Sequence, residues 1–67
     1  MKISARNQLS GTIKTINLGG VMAEVVVEVG AGTIISAITR GSAESLELKP
    51  GDKVTAIIKA TEVMIAK

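Results

Sequence analysis

Residues 21–29 read VMAEVVVEV. Val21, Ala23, Val25, Val27 and Val29 fall on one face of an extended chain, and Met22, Glu24, Val26 and Glu28 fall on the other. A period of two with carboxylates confined to one side describes a half-buried β-strand. Upstream, LSGTIKTIN (residues 9–17) sets Leu9, Gly11, Ile13 and Thr15 against Ser10, Thr12, Lys14 and Ile16, and Gly19-Gly20 then supplies a turn, so the two runs read as a hairpin. Downstream, Gly30-Ala31-Gly32 breaks the chain before TIISAIT, and Pro50-Gly51-Asp52 breaks it before KVTAIIKA. EVMIA, Glu62 to Ala66, makes a fifth short strand.

Between Thr39 and Pro50 the pattern changes to TRGSAESLELKP. Cap-forming residues come first, helix formers follow, and a proline ends the run, which predicts one short helix over roughly residues 40–47. The predicted order is β-β-β-α-β-β. An all-β, five-stranded OB-like barrel with one short helix between strands 3 and 4 has that layout.

The whole chain, residues 1–67, reads as a single domain, because a second core could not be built from so few side chains. Ordering it costs about 100 kcal/mol at roughly 1.5 kcal/mol per residue, which burial in so short a chain only barely offsets. Chains in this position usually carry a staple. With no Cys and no His, a disulfide and a structural zinc site are both ruled out. Self-association is the staple that remains, and subunit interfaces would account for an apolar content of 46% beside only 21% charged residues. No apolar run has the length of a membrane span, and the start lacks the basic-then-apolar pattern of a secretion signal, so a cytoplasmic location is expected.

The same inventory narrows the function. Without His, Cys or an aromatic hydroxyl there is little from which to build a nucleophile and its base, so a non-catalytic protein is expected. The carboxylates Glu24, Glu28, Glu44, Glu47, Asp52 and Glu62 are scattered without the spacing of a metal loop. Nucleic acid is disfavoured too, because OB barrels that bind single strands stack bases on aromatic rings and this chain has none. The formal charge of +2 is a mild bias that leaves small anions as plausible ligands.

What the chain does concentrate is hydrogen-bond donors: Ser4, Arg6 and Asn7 near the start, Thr39 and Ser42 around the predicted helix start, and Lys59 with Thr61 near the end. Ser4 and Arg6 are two apart, so on an extended segment both side chains point to one side. If Thr39 caps the helix, Ser42 stands at its third position among backbone amides with no helical acceptor, and Gly41 lets an anion approach closely. Each feature also has a plain structural explanation. Thr caps occur at many helices without a ligand, an Arg near a chain start is commonly a surface charge, and Gly19-Gly20 can be a turn and nothing more.

Three stretches together, ISARNQLSG at the start, AIT followed by SA in the middle and IIKATEVMIA at the end, resemble the molbindin (Mop) family of small cytoplasmic molybdate- and tungstate-binding proteins. The resemblance runs the length of the chain. It implies an OB-like barrel assembled as a homohexamer, a trimer of dimers, with molybdate or tungstate held between subunits for intracellular molybdenum storage or homeostasis, and no further cofactor. It assigns donors to Ser4, Arg6 and Lys59 and the backbone amide of Ala60, with Thr39 and Ser42 approaching from the neighbouring subunit. It also implies a second oxyanion site built from amides of the first hairpin, for which Gly19, Gly20 and Val21 are the nearest candidates. Arg40-Gly41 matches no position of the family pattern. An alternative of a different class comes from LELKPGDKVTAIIK, which resembles the turn of AbrB-type swapped-hairpin DNA-binding proteins, but residues 21–38 contain two Glu and no Lys or Arg where such proteins need a basic strand.

Overall fold

The computed structural model describes residues 2–67. Four strands, β1 (Asn7–Leu18), β2 (Met22–Val29), β3 (Gly32–Thr39) and β4 (Lys53–Ile58), form one antiparallel sheet in the order β3-β2-β1-β4. A single helical turn and a half, α1 (Arg40–Ser45), connects β3 to β4. The all-β class and the helix position agree with expectation, but the sheet has four strands and does not close into a barrel.

β1 is shared by the two halves of the sheet. Its first residues, Asn7 to Thr12, pair with β4, and Thr12 to Leu18 pair with β2. The chain turns this corner at Gly11, where a Cβ would lie 2.5 Å from the carbonyl oxygen of Glu28 and 2.7 Å from a methyl of Val27 and of Val29. Only a residue without a side chain fits so close an approach. Just beyond the corner the strict alternation expected for β1 breaks down. Ile13 faces Val27 and Thr15 faces Val26, so Lys14 is the extra residue of a β-bulge. The bulge shifts the register by one and turns Ile16 to the core side together with Ile13, where the sequence pattern set them on opposite faces.

The core consists of Ile13, Val25 and Val27, with Ile16, Val29, Ile38, Leu48 and Val54 packed around them. Ala23 and Ala43 are also buried. Val21, read as the first inward residue of the second strand, instead stands in the turn before β2 and is 75% exposed.

The helix starts where expected. Thr39 has extended backbone, and its Oγ1 accepts from the amide of Ser42 at 3.1 Å, the capping geometry foreseen from the sequence. The end comes earlier than residue 47. Glu47 donates its amide to Glu44 and Leu48 donates to Ala43, the bonding pattern of a Schellman cap, with Glu47 at φ 54. Lys49-Pro50-Gly51-Asp52 then makes a tight turn closed by the Asp52 amide on the Lys49 carbonyl at 3.1 Å, with Gly51 at φ 92. The turn is tied to the bulge, since Ile13 donates to Asp52 at 2.9 Å and accepts from Gly51 at 2.8 Å. LKPGDKV therefore serves as the connection into β4.

Glu62 to Ala66 do not form the expected fifth strand. A 3-10 turn, η1 (Ala60–Glu62), follows β4, and residues 63–67 pair with none of the described strands. Met64 and Ile65 are 92% and 89% exposed. An isolated extended segment holds its conformation only through ladder partners and burial, and this segment has neither. Among the described residues the outer edges of β3 and β4 consequently stay unpaired, and an open apolar groove of about 770 Å³ runs between them, lined by Ile34, Ile38, Val54 and Ile58 and by Ile13 and Val25.

Candidate oxyanion site

The β1–β4 ladder ends at the pair Asn7–Ile58, so the residues just beyond it on the two chains, Arg6 and Lys59, come together at one end of the sheet. They line an open groove of about 600 Å³ with Ile3, Ser4, Ala5, Asn7, Ile57 and Ala60. Four of the sequence-predicted site residues, Ser4, Arg6, Lys59 and Ala60, thus share one surface. The segment before β1 is held by Gln8, whose Nε2 donates to the carbonyl of Ala5 at 2.7 Å. On the other side η1 turns the chain immediately after Lys59, with the Glu62 amide bonded to the Lys59 carbonyl at 2.9 Å. The first amide of this turn, that of Ala60, gives its proton to no backbone carbonyl among the described residues.

The electrostatics of this groove are one-sided. Its lining contains a guanidinium, an ammonium, a hydroxyl and a side-chain amide, and no carboxylate. Among the described residues the ion pair formed is Arg40–Glu44 at 3.6 Å, so neither Arg6 nor Lys59 is neutralised. No group of three or more metal-ligating side chains occurs among the described residues. Two cationic donors with no carboxylate beside them suit an anion.

Thr39 and Ser42 are not part of that groove. They form a pair of their own at the start of α1, where Thr39 Oγ1 accepts from the Ser42 amide and donates to Ser42 Oγ at 2.8 Å. This spends the Thr39 proton and leaves the Ser42 hydroxyl proton free. Gly19, Gly20 and Val21 form the exposed β1–β2 turn, closed by the Gly19 amide on the Met22 carbonyl at 2.7 Å. Among the described residues the amides of Gly20 and Val21 have no backbone acceptor.

Two further polar residues lie against these groups without being assigned to them from the sequence. Asn7 was noted as a donor but not placed in the site, and the groove includes it. Arg40 reaches back to the β1–β2 turn, donating from Nη1 to the Gly19 carbonyl at 3.1 Å and from its own amide to the Val21 carbonyl at 2.6 Å. A separation of 21 residues gives no local signal of such a contact.

Comparison with known proteins agrees with this architecture. The TOBE domain model matches residues 3–65. The chain is 48% identical over 66 residues to molybdenum-pterin-binding protein 3 of Clostridium pasteurianum, covering 97% of each. A solved molybdate-binding protein from Sporomusa ovata superposes with a TM-score of 0.95 at 49% identity over the full length of both chains. The cytoplasmic molybdate-binding protein ModG, solved with molybdate bound, gives a TM-score of 0.84 at 46% identity, covering 90% of this chain and 43% of that one. With its sheet order, its donor-lined groove and full-length likeness to these proteins, the chain belongs to the TOBE domain family and, within it, to the molybdenum-binding Mop proteins.

Proposed function

We propose that the chain binds molybdate or tungstate between subunits of a homo-oligomer and serves intracellular molybdenum storage or homeostasis without catalysis. One observation carries the reading: Ser4, Arg6, Lys59 and the Ala60 amide converge on a groove that has no carboxylate. Such a groove is half a site, open to water on one side. Thr39 and Ser42, which lie outside it, complete it from the neighbouring subunit, and Gly19, Gly20 and Val21 supply amides to a second oxyanion site. The molybdate-binding activity of the solved relatives supports the ligand.

Self-association is supported by the apolar surface left uncovered. Met64, Ile65, Ile35 and Leu46 are all more than half exposed, and two strand edges have no partner among the described residues. A homohexamer built as a trimer of dimers is the assembly proposed, in the cytoplasm. No described helix is long and apolar enough to cross a membrane.

The names of several relatives also mention a pterin. Pterin rings are bound by stacking as well as hydrogen bonding, and this chain has no aromatic residue to stack on them. The free oxyanion is therefore the ligand proposed. Native mass spectrometry with and without molybdate tests both parts, because it reports subunit number and bound anion together. A monomer, or an oligomer that retains no molybdate, would refute the reading.

A further inference from the structure

Arg40 occupies the first position of α1, yet its side chain turns back across the β1–β2 turn. Two carbonyls of that turn end on this one residue: Gly19 accepts from Nη1 at 3.1 Å and Val21 accepts from the Arg40 amide at 2.6 Å. Nε meanwhile lies 3.6 Å from Oε2 of Glu44, one helical turn on. A planar guanidinium can serve two acceptors from fixed positions at once, which an ammonium cannot. We propose that Arg40 is a positioning residue that clamps the β1–β2 turn to the start of α1 and so fixes the Gly20 and Val21 amides for anion binding. This rests on the second oxyanion site of the proposed function.

Gly19-Gly20 has little conformational preference of its own, and neither glycine nor Val21 is buried. One internal bond, from the Gly19 amide to the Met22 carbonyl at 2.7 Å, closes it. A turn so lightly held would sample several peptide orientations, and amides that reorient bind an anion only after the entropy of ordering them is paid. Holding the Gly19 and Val21 carbonyls from the α1 side removes that freedom and fixes the peptide planes that carry the Gly20 and Val21 amides, which among the described residues have no backbone acceptor. The clamp also joins this turn to the Thr39–Ser42 pair, since residues 39, 40 and 42 belong to one cap.

The variant Arg40→Met keeps the apolar stem and removes the donors, while the backbone bond to Val21 persists. The measurements are amide hydrogen exchange and molybdate titration followed by NMR at Gly19, Gly20 and Val21 of the assembled protein. In Arg40→Met, Gly19 exchange should rise about tenfold, with Val25 and Val27 unchanged as a check on the fold, and the molybdate concentration that half-shifts the Gly20 and Val21 amides should rise about tenfold. Arg40→Lys should fall between the two, and Glu44→Gln, which breaks only an exposed ion pair, should match the parent. Unchanged Gly19 exchange in Arg40→Met would overturn the clamp. Weaker molybdate binding without faster exchange would do the same, since it would leave Arg40 as a charge alone. If the parent's Gly20 and Val21 amides ignored molybdate while the Arg6 groove bound it, the second site itself would fall, and Arg40 would lose this role with it.

Discussion

Replacing Gly11 by Ala should destabilise the protein by about 2 kcal/mol. The added methyl would sit 2.5 Å from the Glu28 carbonyl oxygen, whereas even a close carbon–oxygen contact needs about 3.3 Å. The difference, about 0.8 Å, cannot be absorbed by a side-chain rotation, because the nearest atom belongs to the backbone of β2. Two valine methyls at 2.7 Å close the remaining directions. Overpacking of this kind costs about 1–3 kcal/mol, and the backbone clash places this case in the upper half of the range. With a urea dependence of about 1–2 kcal/mol/M for a small domain, the unfolding midpoint should fall by about 1–2 M at fixed subunit concentration. Gly20→Ala is the matched control, since a Cβ there meets nothing within 4 Å. A Gly11→Ala midpoint equal to that of the control would refute the corner as described. Because β1 carries the Ser4–Arg6 segment beyond this corner to Lys59, the same variant should also weaken molybdate binding.

The other expectations concern the groove and the helix end. Arg6→Ala should lower molybdate affinity by about 1.5–3 kcal/mol in calorimetry while leaving the subunit number unchanged, because it removes a charge-assisted donor from an exposed position. Glu47→Gly should stabilise the fold by about 0.5–1 kcal/mol in thermal unfolding, since Glu47 sits at φ 54 where a side chain is strained; a lower midpoint would contradict the assigned cap. Phosphate and sulfate should compete poorly with molybdate in displacement calorimetry, and tungstate should compete well. Phosphate carries a proton that a groove without carboxylates hardly accepts, and sulfate is too small to meet every donor, each unmet one costing about 1–3 kcal/mol. Displacement by equimolar sulfate would count against donors spaced for the larger anion.

The second strand was legible because every inward position of β2 is apolar and both its carboxylates face out, a pattern that survives any tertiary context. The Thr39 cap was equally plain, since capping depends on a hydroxyl and an amide three residues apart. The bulge at Lys14 was not. It is set by the long-range bonds of Ile13 to Gly51 and Asp52, and no local pattern announces a partner almost forty residues away. EVMIA failed for a related reason. Its composition is that of a strand, but a strand exists only beside another, and residues 63–67 have none within the chain described. Of the candidate site, Ser4, Arg6 and Lys59 stand out in the sequence as donors and Ala60 comes from the resemblance, and one ladder end brings the four to one groove, whereas the Arg40 contact depends on how a turn and a helix meet.

A chain that buries only Ile13, Ala23, Val25, Val27 and Ala43 among its described apolar residues has no interior in which to enclose an anion. Its donors must therefore stand at the surface, where water competes for each and a single hydrogen bond contributes little. Strength at such a site comes from bringing more donors to the same anion and from removing water, and both follow if a second subunit covers the groove. The surface needed for that cover is already present as unpaired edges of β3 and β4 and the exposed Met64 and Ile65. Under the proposed assembly, one event would meet both demands of so small a chain, more buried apolar area and a drier anion site, and an anion held between subunits would oppose their dissociation.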